Sequence, residues 1–331
     1  MKTKIIFNLF FTIMKPLFTP TLLLSLLALA GCNNTDDTTI DESASQQLIF
    51  SASLPDDEDT RMAFANETSP TLIWSEGDQI TVFSTLVVKD SSPSQLVKGA
   101  YKRCAMTSGA GTVNAEFLGG AVKDWYPDNG SYEYYYFYGV YTGLEPDAFT
   151  EAELSGTYKV SYTLPSSQAG DLSSQICIAK TPAKMSSGRY DSSSTKFSLS
   201  FTPSTALVRL RLKLSDDYTS DEMTISSAKI TSNTWKTYLA GACSFNLAST
   251  TLSHSDADSQ TITVDKEFTL KKGTYTDIYF STLPTGTSTD ITISLTSSDG
   301  TVKLYKDSAE NNSFSAKITG GTRYTVKRDV K

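Results

Sequence analysis

Ala206-Leu207-Val208-Arg209-Leu210-Arg211-Leu212-Lys213-Leu214 alternates apolar and charged side chains along its length. Successive side chains of an extended strand point to opposite faces, so a period of two marks a half-buried strand. Val208, Leu210, Leu212 and Leu214 are expected to face a core. Arg209, Arg211 and Lys213 are expected to face solvent, with Leu207 beginning that outer face. Shorter runs of the same kind lie downstream, at 223–230, 261–264, 274–281, 289–295 and 302–305, and at 324–330 after the turn pair Gly320-Gly321. Residues 196–201 and 157–164 repeat the pattern upstream, the latter ending at Pro165. With 17 Tyr, 16 Phe, abundant Ser and Thr and few helical periods, the chain reads as all-β, with short strands between turn signals as in a β-sandwich.

The N-terminal half carries fewer clean alternations. Leu48-Ile49-Phe50-Ser51-Ala52-Ser53-Leu54 places Leu48, Phe50, Ala52 and Leu54 on one face. An acidic loop follows, Pro55-Asp56-Asp57-Glu58-Asp59-Thr60-Arg61. Thr71-Leu72-Ile73-Trp74 and Gln79-Ile80-Thr81-Val82-Phe83 are expected to pair around the turn Ser75-Glu76-Gly77-Asp78. Residues 132–141 are apolar on both faces, as in a strand covered on both sides. About 300 residues after a leader suit two domains. We place them at 47–195 and 196–331, divided at the end of a Ser-rich stretch.

Leu26-Leu27-Ala28-Leu29-Ala30-Gly31-Cys32 ends an apolar segment with small residues and a cysteine, and Leu29-Ala30-Gly31-Cys32 resembles a bacterial lipobox. Residues 1–31 then read as a lipoprotein signal, with Lys2, Lys4 and Lys15 as its positive charges and Met1 or Met14 as its start. Cys32 is the expected acceptor of lipid, and 32–46 is a polar, acidic tether whose Asp36-Asp37 pair resembles an export signal of surface lipoproteins. No other segment reaches the ~18 apolar residues of a membrane span. Loss of Lys2, Lys4 and Lys15 with the leader takes the net charge from −7 to −10. Such a chain does not suit nucleic acid or anionic headgroups.

Catalytic chemistry is poorly supplied. His254 is the one histidine, in a Ser/Asp-rich stretch read as a loop, which argues against triads and His-based metal sites. Cys104, Cys177 and Cys243 are odd in number and lack CxxC spacing, so buried free thiols are expected. Asp256-Ala257-Asp258 lacks the glycine and distal glutamate of an EF-hand loop. Gly109-Ala110-Gly111 and Gly119-Gly120 lack Walker spacing and read as turns. The cluster Tyr132, Tyr134, Tyr135, Tyr136, Phe137, Tyr138 and Tyr141 reads as core rather than a sugar-stacking platform. Neither enzyme activity nor a cofactor or metal is expected.

Four segments together resemble the fimbrillins, lipoprotein pilins of donor-strand type-V fimbriae. Trp74-Ser75-Glu76-Gly77-Asp78-Gln79-Ile80-Thr81-Val82-Phe83 is similar to the family's W-x-x-G-D-x-I-x-V-F segment. Tyr138-Gly139-Val140-Tyr141 resembles its Y-A-V-Y-P, with Gly for Ala and Thr142 for Pro. Leu164-Pro165-Ser166-Ser167-Gln168 resembles its L-P-x-x-Q, and Tyr279-Phe280-Ser281-Thr282-Leu283-Pro284 its second-domain strand and Pro turn. The resemblance implies two tandem transthyretin-like β-sandwiches. It also implies that a trypsin-like protease cuts between Arg61 and Met62, that the first strand (Leu48, Phe50, Ala52, Leu54) leaves, and that its groove takes a strand from another pilin subunit. The candidate donor is the C-terminal strand, with Tyr324, Val326 and Val330 on one face and Arg328 interrupting. The implied place is the outer membrane through a lipid anchor, then the fimbrium. Stalk, anchor and tip roles remain open, as does a surface lipoprotein outside any pilus that binds glycans or host proteins. Mass spectrometry of the membrane-anchored precursor is expected to find an acylated Cys32 at its N-terminus, and Cys32→Ser is expected to abolish the acylation.

Overall fold

The computed structural model describes residues 47–54, 73–88, 96–125, 132–142, 148–151, 158–171, 173–184, 195–247, 249, 251–254, 259–298 and 300–331, all within one compact unit spanning Asp41–Lys331. Cys32, Arg61, Met62 and the Asp256-Ala257-Asp258 stretch lie outside the described residues. Twenty-four strands and one short 3-10 turn account for the regular structure described.

The first sheet has eight strands: β1 (Gln47–Ser53), β2 (Gln79–Val88), β3 (Leu96–Ser108), β4 (Asn114–Ala121), β5 (Tyr132–Thr142), β9 (Ile176–Lys184), β10 (Lys196–Ser200) and β11 (Thr202–Pro203). Their order is β10-β1-β4-β3-β2-β5-β9-β11. Its two end strands are separated in sequence by Phe201 alone, so the sheet curls until its ends nearly meet. The segment after Thr195 thus completes this sheet before the chain moves on. The interior is aromatic: Phe50, Trp74, Phe117, Trp125, Phe137 and Phe201 are all buried.

The outer face of this curled sheet is covered too. β6 (Ala148–Glu151), β7 (Tyr158–Leu164), β14 (Gly241–Asn246) and β15 (Thr251–His254) form a four-stranded sheet, ordered β15-β14-β7-β6. Val160, Tyr162, Leu164 and Phe245 of that sheet pack with Phe83, Tyr138, Val140 and Ile178. Phe137 faces the inner core while Tyr138 and Val140 face the outer one, so β5 is a strand apolar on both sides, as its composition requires.

The remaining strands form two sheets around a third core. β12 (Ala206–Leu214), β18 (Thr276–Thr282), β21 (Leu304–Lys306), β22 (Ala309–Glu310) and β24 (Arg323–Val330) run in the order β18-β12-β24-β21-β22. β8 (Ser167–Gln168), β13 (Glu222–Ser232), β16 (Thr261–Val264), β17 (Phe268–Lys271), β19 (Ser288–Ser297), β20 (Gly300–Val302) and β23 (Ser313–Lys317) make the facing sheet, its main path β20-β19-β13-β16-β8. Val208, Leu210, Leu212 and Leu214 enter this core with Ile230, Ile262 and Ile293 from across it. Arg209 departs from the expected alternation: it lies on the outer face, yet is only 5% exposed. Its guanidinium pairs with Asp277 of neighbouring β18, and the Arg211 charge lies 3.0 Å from the same carboxylate. The pairing partner that makes this burial tolerable sits 68 residues away and cannot be inferred from alternation.

Other expectations also need correction. Ile73 and Trp74 do not pair with β2; the Trp74 N–H donates to Thr112 O and its carbonyl accepts from Gly111 N, both in the turn after β3. Gly119-Gly120 is not a turn but lies in β4, where the register shifts between Leu48 and Ile49. His254 ends β15, opposite Cys243, rather than lying in a loop.

Between the two ends of the chain's order, β8 works as a stitch. It pairs in parallel with β16 through Ser167↔Thr263 and Gln168↔Val264. The Gln168 carboxamide then reaches Ser281 of β18: its Nε2 donates to Ser281 O at 2.8 Å and its Oε1 accepts from Ser281 N at 2.9 Å. One buried side chain therefore serves the backbone of one sheet while its own backbone pairs with the other. Leaving a buried backbone group without a partner costs about 1–3 kcal/mol. Gln168→Leu is accordingly expected to lower stability by about 2–4 kcal/mol, read as a lower urea midpoint with an unchanged slope.

Candidate strand-docking site

β1 is a seven-residue strand with apolar side chains at every second position. Leu48, Phe50, Ala52 and the following Leu54 are between 0% and 4% exposed. It lies between two strands that do not otherwise pair: antiparallel to β4, from Gln47↔Ala121 to Ser53↔Asn114, and parallel to β10, from Ile49↔Lys196 to Ser53↔Ser200. Further backbone bonds extend the seam at both ends. Ile49 N donates to Thr195 O at 2.8 Å, Leu54 N to Val113 O at 2.9 Å, and Phe201 N to Ser53 O at 2.8 Å.

The slot is shaped for this strand. Phe50 meets Trp125 and Phe137 edge-on, with ring centroids 5.5 and 5.2 Å apart. Gly119 allows that fit: a Cβ there would stand 2.8 Å from the Phe50 ring and 3.1 Å from Leu48 O. The Trp125 indole is fixed by its bond to Gly119 O at 2.8 Å. On the outer face the Lys196–Glu116 ion pair reaches from β10 to β4 over the small Ser51, though at this exposure it adds little. Burying Leu48, Phe50 and Leu54 contributes about 5–9 kcal/mol at the usual 1.5–3 kcal/mol for each large apolar side chain. Removal of β1 would therefore leave two open strand edges around an apolar trough, an association-prone state.

The paired motifs sit beside this slot. Asp78 closes the Ser75–Asp78 turn by accepting from Ser75 N at 2.7 Å, with Gly77 at φ +87. Its Oδ2 also accepts from the Tyr141 hydroxyl at 3.0 Å. Burial, then the Asp78 charge, pushes the Tyr141 hydroxyl's pKa well above the phenol range. Trp74 stacks edge-on against Tyr141 at 4.8 Å and Phe117 at 4.9 Å. Cys104, Cys177 and Cys243 are buried and form no disulfide, and burial pushes the Cys104 thiol up to about 12, which makes it inert as a nucleophile at neutral pH.

The candidate donor lies in a different sheet. β24 runs parallel to β12 along its whole length, from Leu207↔Arg323 to Leu214↔Val330. On its other side β21 meets only Asp329 and Val330. Val326 and Val330 enter the third core, while the Tyr324 hydroxyl donates to Lys317 O at 2.7 Å. Arg328, expected to interrupt the apolar row, is only 5% exposed. Its Nε donates to Asn311 O at 2.8 Å and its Nη1 to Lys327 O at 2.7 Å, while Nη2 bonds Asn311 Oδ1 and Ser313 O. The guanidinium thus spans an open groove of about 900 Å³ between β24 and the β22–β23 connection. Sequence reasoning registered Arg328 as an interruption and missed its role as a clasp, because Asn311 and Ser313 carry no signal of it.

Among the described residues there is no cluster of three metal-ligating side chains and no helix long and apolar enough to cross a membrane. Residues 60–331 match the profile of the fimbrillin-like family, and the chain belongs to that family, one of structural and adhesive proteins rather than enzymes. Similar solved structures include candidate cell adhesion proteins of Bacteroides ovatus (10% identity, 86% of this chain and 95% of that one, TM-score 0.47) and Bacteroides uniformis (12%, 86% and 96%, 0.47). A fimbrial protein of Bacteroides vulgatus is also similar (8% identity, 86% and 98%, TM-score 0.42). No curated protein matches the sequence. Phe50→Ala in the full chain is expected to cost about 3–5 kcal/mol in chemical denaturation, whereas Ser51→Ala changes stability by less than about 0.5 kcal/mol.

Proposed function

We propose that this chain is a lipid-tethered surface subunit of the adhesive, fimbrial type, whose first strand is a replaceable filling for a strand-docking slot. One observation carries the reading: β1 is inserted between β4 and β10, which have no other contact through backbone pairing, and its apolar row is buried. The family match begins at Thr60, after β1 and next to Arg61, which is consistent with a first strand that is separate from the body. On this reading Cys32 anchors the precursor to the outer membrane, and a trypsin-like protease cuts between Arg61 and Met62. β1 leaves, and an extended segment of another subunit adds main-chain hydrogen bonds and fills the trough with alternate side chains. Two tandem transthyretin-like domains, 47–195 and 196–331, are the architecture this reading carries.

A second reading has the chain accept a strand without giving one, as a tip or accessory adhesin, or act as a surface adhesin outside any pilus that binds a glycan or host protein. The Arg328 clasp and the full-length pairing of β24 with β12 favour it, because Tyr324, Val326 and Val330 are held within their own sheet. Trypsin treatment of the purified precursor separates the two. Cleavage is expected to yield Met62 as the new N-terminus and to produce oligomers on native gels, while Arg61→Ala stays uncut and monomeric. Oligomers formed equally by the Arg61→Ala protein would overturn the processing step; a cleaved protein that stays monomeric would favour the adhesin.

A further inference from the structure

The facing sheet of the third core turns one side to the core and the other to solvent. On the outer side, backbone register aligns Thr261, Thr231, Thr292 and Ser313 across β16, β13, β19 and β23. The adjacent row, Ile262, Ile230 and Ile293, is buried, which fixes the hydroxyl row as the outward one. At strand spacings of 4.7–4.9 Å the four hydroxyls span about 14 Å. Thr231 and Thr261 hydroxyls lie 3.2 Å apart, and Asn233 Nδ2 donates to Thr292 Oγ1 at 2.7 Å.

That asparagine opens the loop that carries Trp235, which is 82% exposed, whereas Trp74 and Trp125 are at 0% and 1%. The loop is fixed. Asn233 N donates to Asp290 O at 2.8 Å, and Thr237 N closes a turn on Thr234 O at 3.1 Å. Gln260 Nε2 binds the same Thr234 carbonyl at 2.7 Å. Lys236, next to the indole, is held at φ +56, a left-handed conformation that costs a non-glycine residue about 1–2 kcal/mol. The strained residue lies within the Thr234–Thr237 turn that presents this large apolar ring to water. Backbone strain of this kind is concentrated at ligand-contacting sites.

We propose that Trp235 and the Thr261–Thr231–Thr292–Ser313 row form a binding surface for a neutral polysaccharide. The proposal rests on the adhesive reading above and names its site. An indole face receives the C–H face of a pyranose ring, and side-chain hydroxyls, each both donor and acceptor, match sugar hydroxyls. Charge complementarity selects the class. The row itself carries no charge; Lys229 and Lys317 beside it and Lys236 of the Trp235 loop stand on separate segments, with Asp290 among them, on a chain whose net charge is −7. An uncharged, hydroxyl-rich ligand fits such a face; a polyanion finds no cation cluster to hold it.

The test is native electrophoresis of the purified full chain in gels containing laminarin, mannan or xylan, with polygalacturonate as the acidic comparison. At least one neutral polymer is expected to retard the protein, and to shield its accessible tryptophan from acrylamide quenching, a signal that only Trp235 supplies. Trp235→Ala is expected to weaken retardation by tenfold or more. Thr231→Val with Ser313→Ala, which leaves the Asn233–Thr292 bond in place, weakens it severalfold at an unchanged thermal midpoint. Retardation by polygalacturonate alone, by none of the polymers, or equally in Trp235→Ala would overturn the proposal. Whole cells bearing Trp235→Ala that still adhere undiminished to surfaces coated with the retarding polysaccharide would sink this site while leaving the adhesive reading intact.

Discussion

A β-sheet that curls toward closure needs every edge along its ladder satisfied, and here one inserted strand joins the closing segment of β10 and β11 to the rest of the sheet. β4 and β10 lie on either side of β1 and share no ladder of their own. Everything in the first core is arranged around that insertion: Trp125 pinned to Gly119, Phe137 edge-on to Phe50, and a glycine where any side chain would collide with the strand. The inserted strand is short and lies at the start of the described chain, so its contribution of several kcal/mol enters through one contiguous segment. An interaction that is both large and contiguous can be lost or replaced in one step, unlike one dispersed through a core.

The four family-like motifs come together in two pairs. Trp74 and Asp78 of the first meet Tyr141 of the second through an edge-on ring contact and a hydroxyl–carboxylate bond. Gln168 of the third meets Ser281 of the fourth through a two-point bond to the backbone. These residues are structural stitches. Asp78 needs a carboxylate because it must accept from a turn N–H and a phenol at once, and Gln168 needs a carboxamide because only that group donates and accepts side by side. The recurrence of such residues follows from the fold, and none requires a ligand to explain it.

How much of this could be read beforehand follows from the same physics. Strands with one wet face were legible, since β7, β16 and β19 alternate buried with more exposed residues; β12 alternates in chemistry, although Leu207 and Arg209 on its outer face are buried too. β5 was legible as doubly covered because both of its faces are aromatic or aliphatic. β3 and β4 were not read as strands: Lys102, Arg103, Gly119 and Gly120 break the alternation, and a bulge interrupts their register. The four inward residues of β1 were legible, but the trough that receives them was not. Its walls, Phe117, Trp125 and Leu199, come from separate stretches of chain that only the topology assembles.

The third core shows two different ways of joining the same pair of sheets. On one side the chain supplies β8, which pairs with β16 while Gln168 serves β18, so that side is sealed by backbone and carboxamide together. On the other side β24 and β23 approach without pairing, and the Arg328 guanidinium bridges the gap by donating to carbonyl oxygens. Burial lowers the Arg328 pKa, which is the expected direction for a cation held by neutral acceptors. Such a bridge is strong only while its acceptors stay in place, because a guanidinium removed from them must be rehydrated or left unpaired. The sealed side fixes the relation between the sheets, and on the bridged side one side chain of the C-terminal strand, itself laddered to β12, reaches the facing sheet. Retention of that strand therefore draws on Asn311 and Ser313, outside the strand itself, in addition to the β12 ladder and the valines it buries.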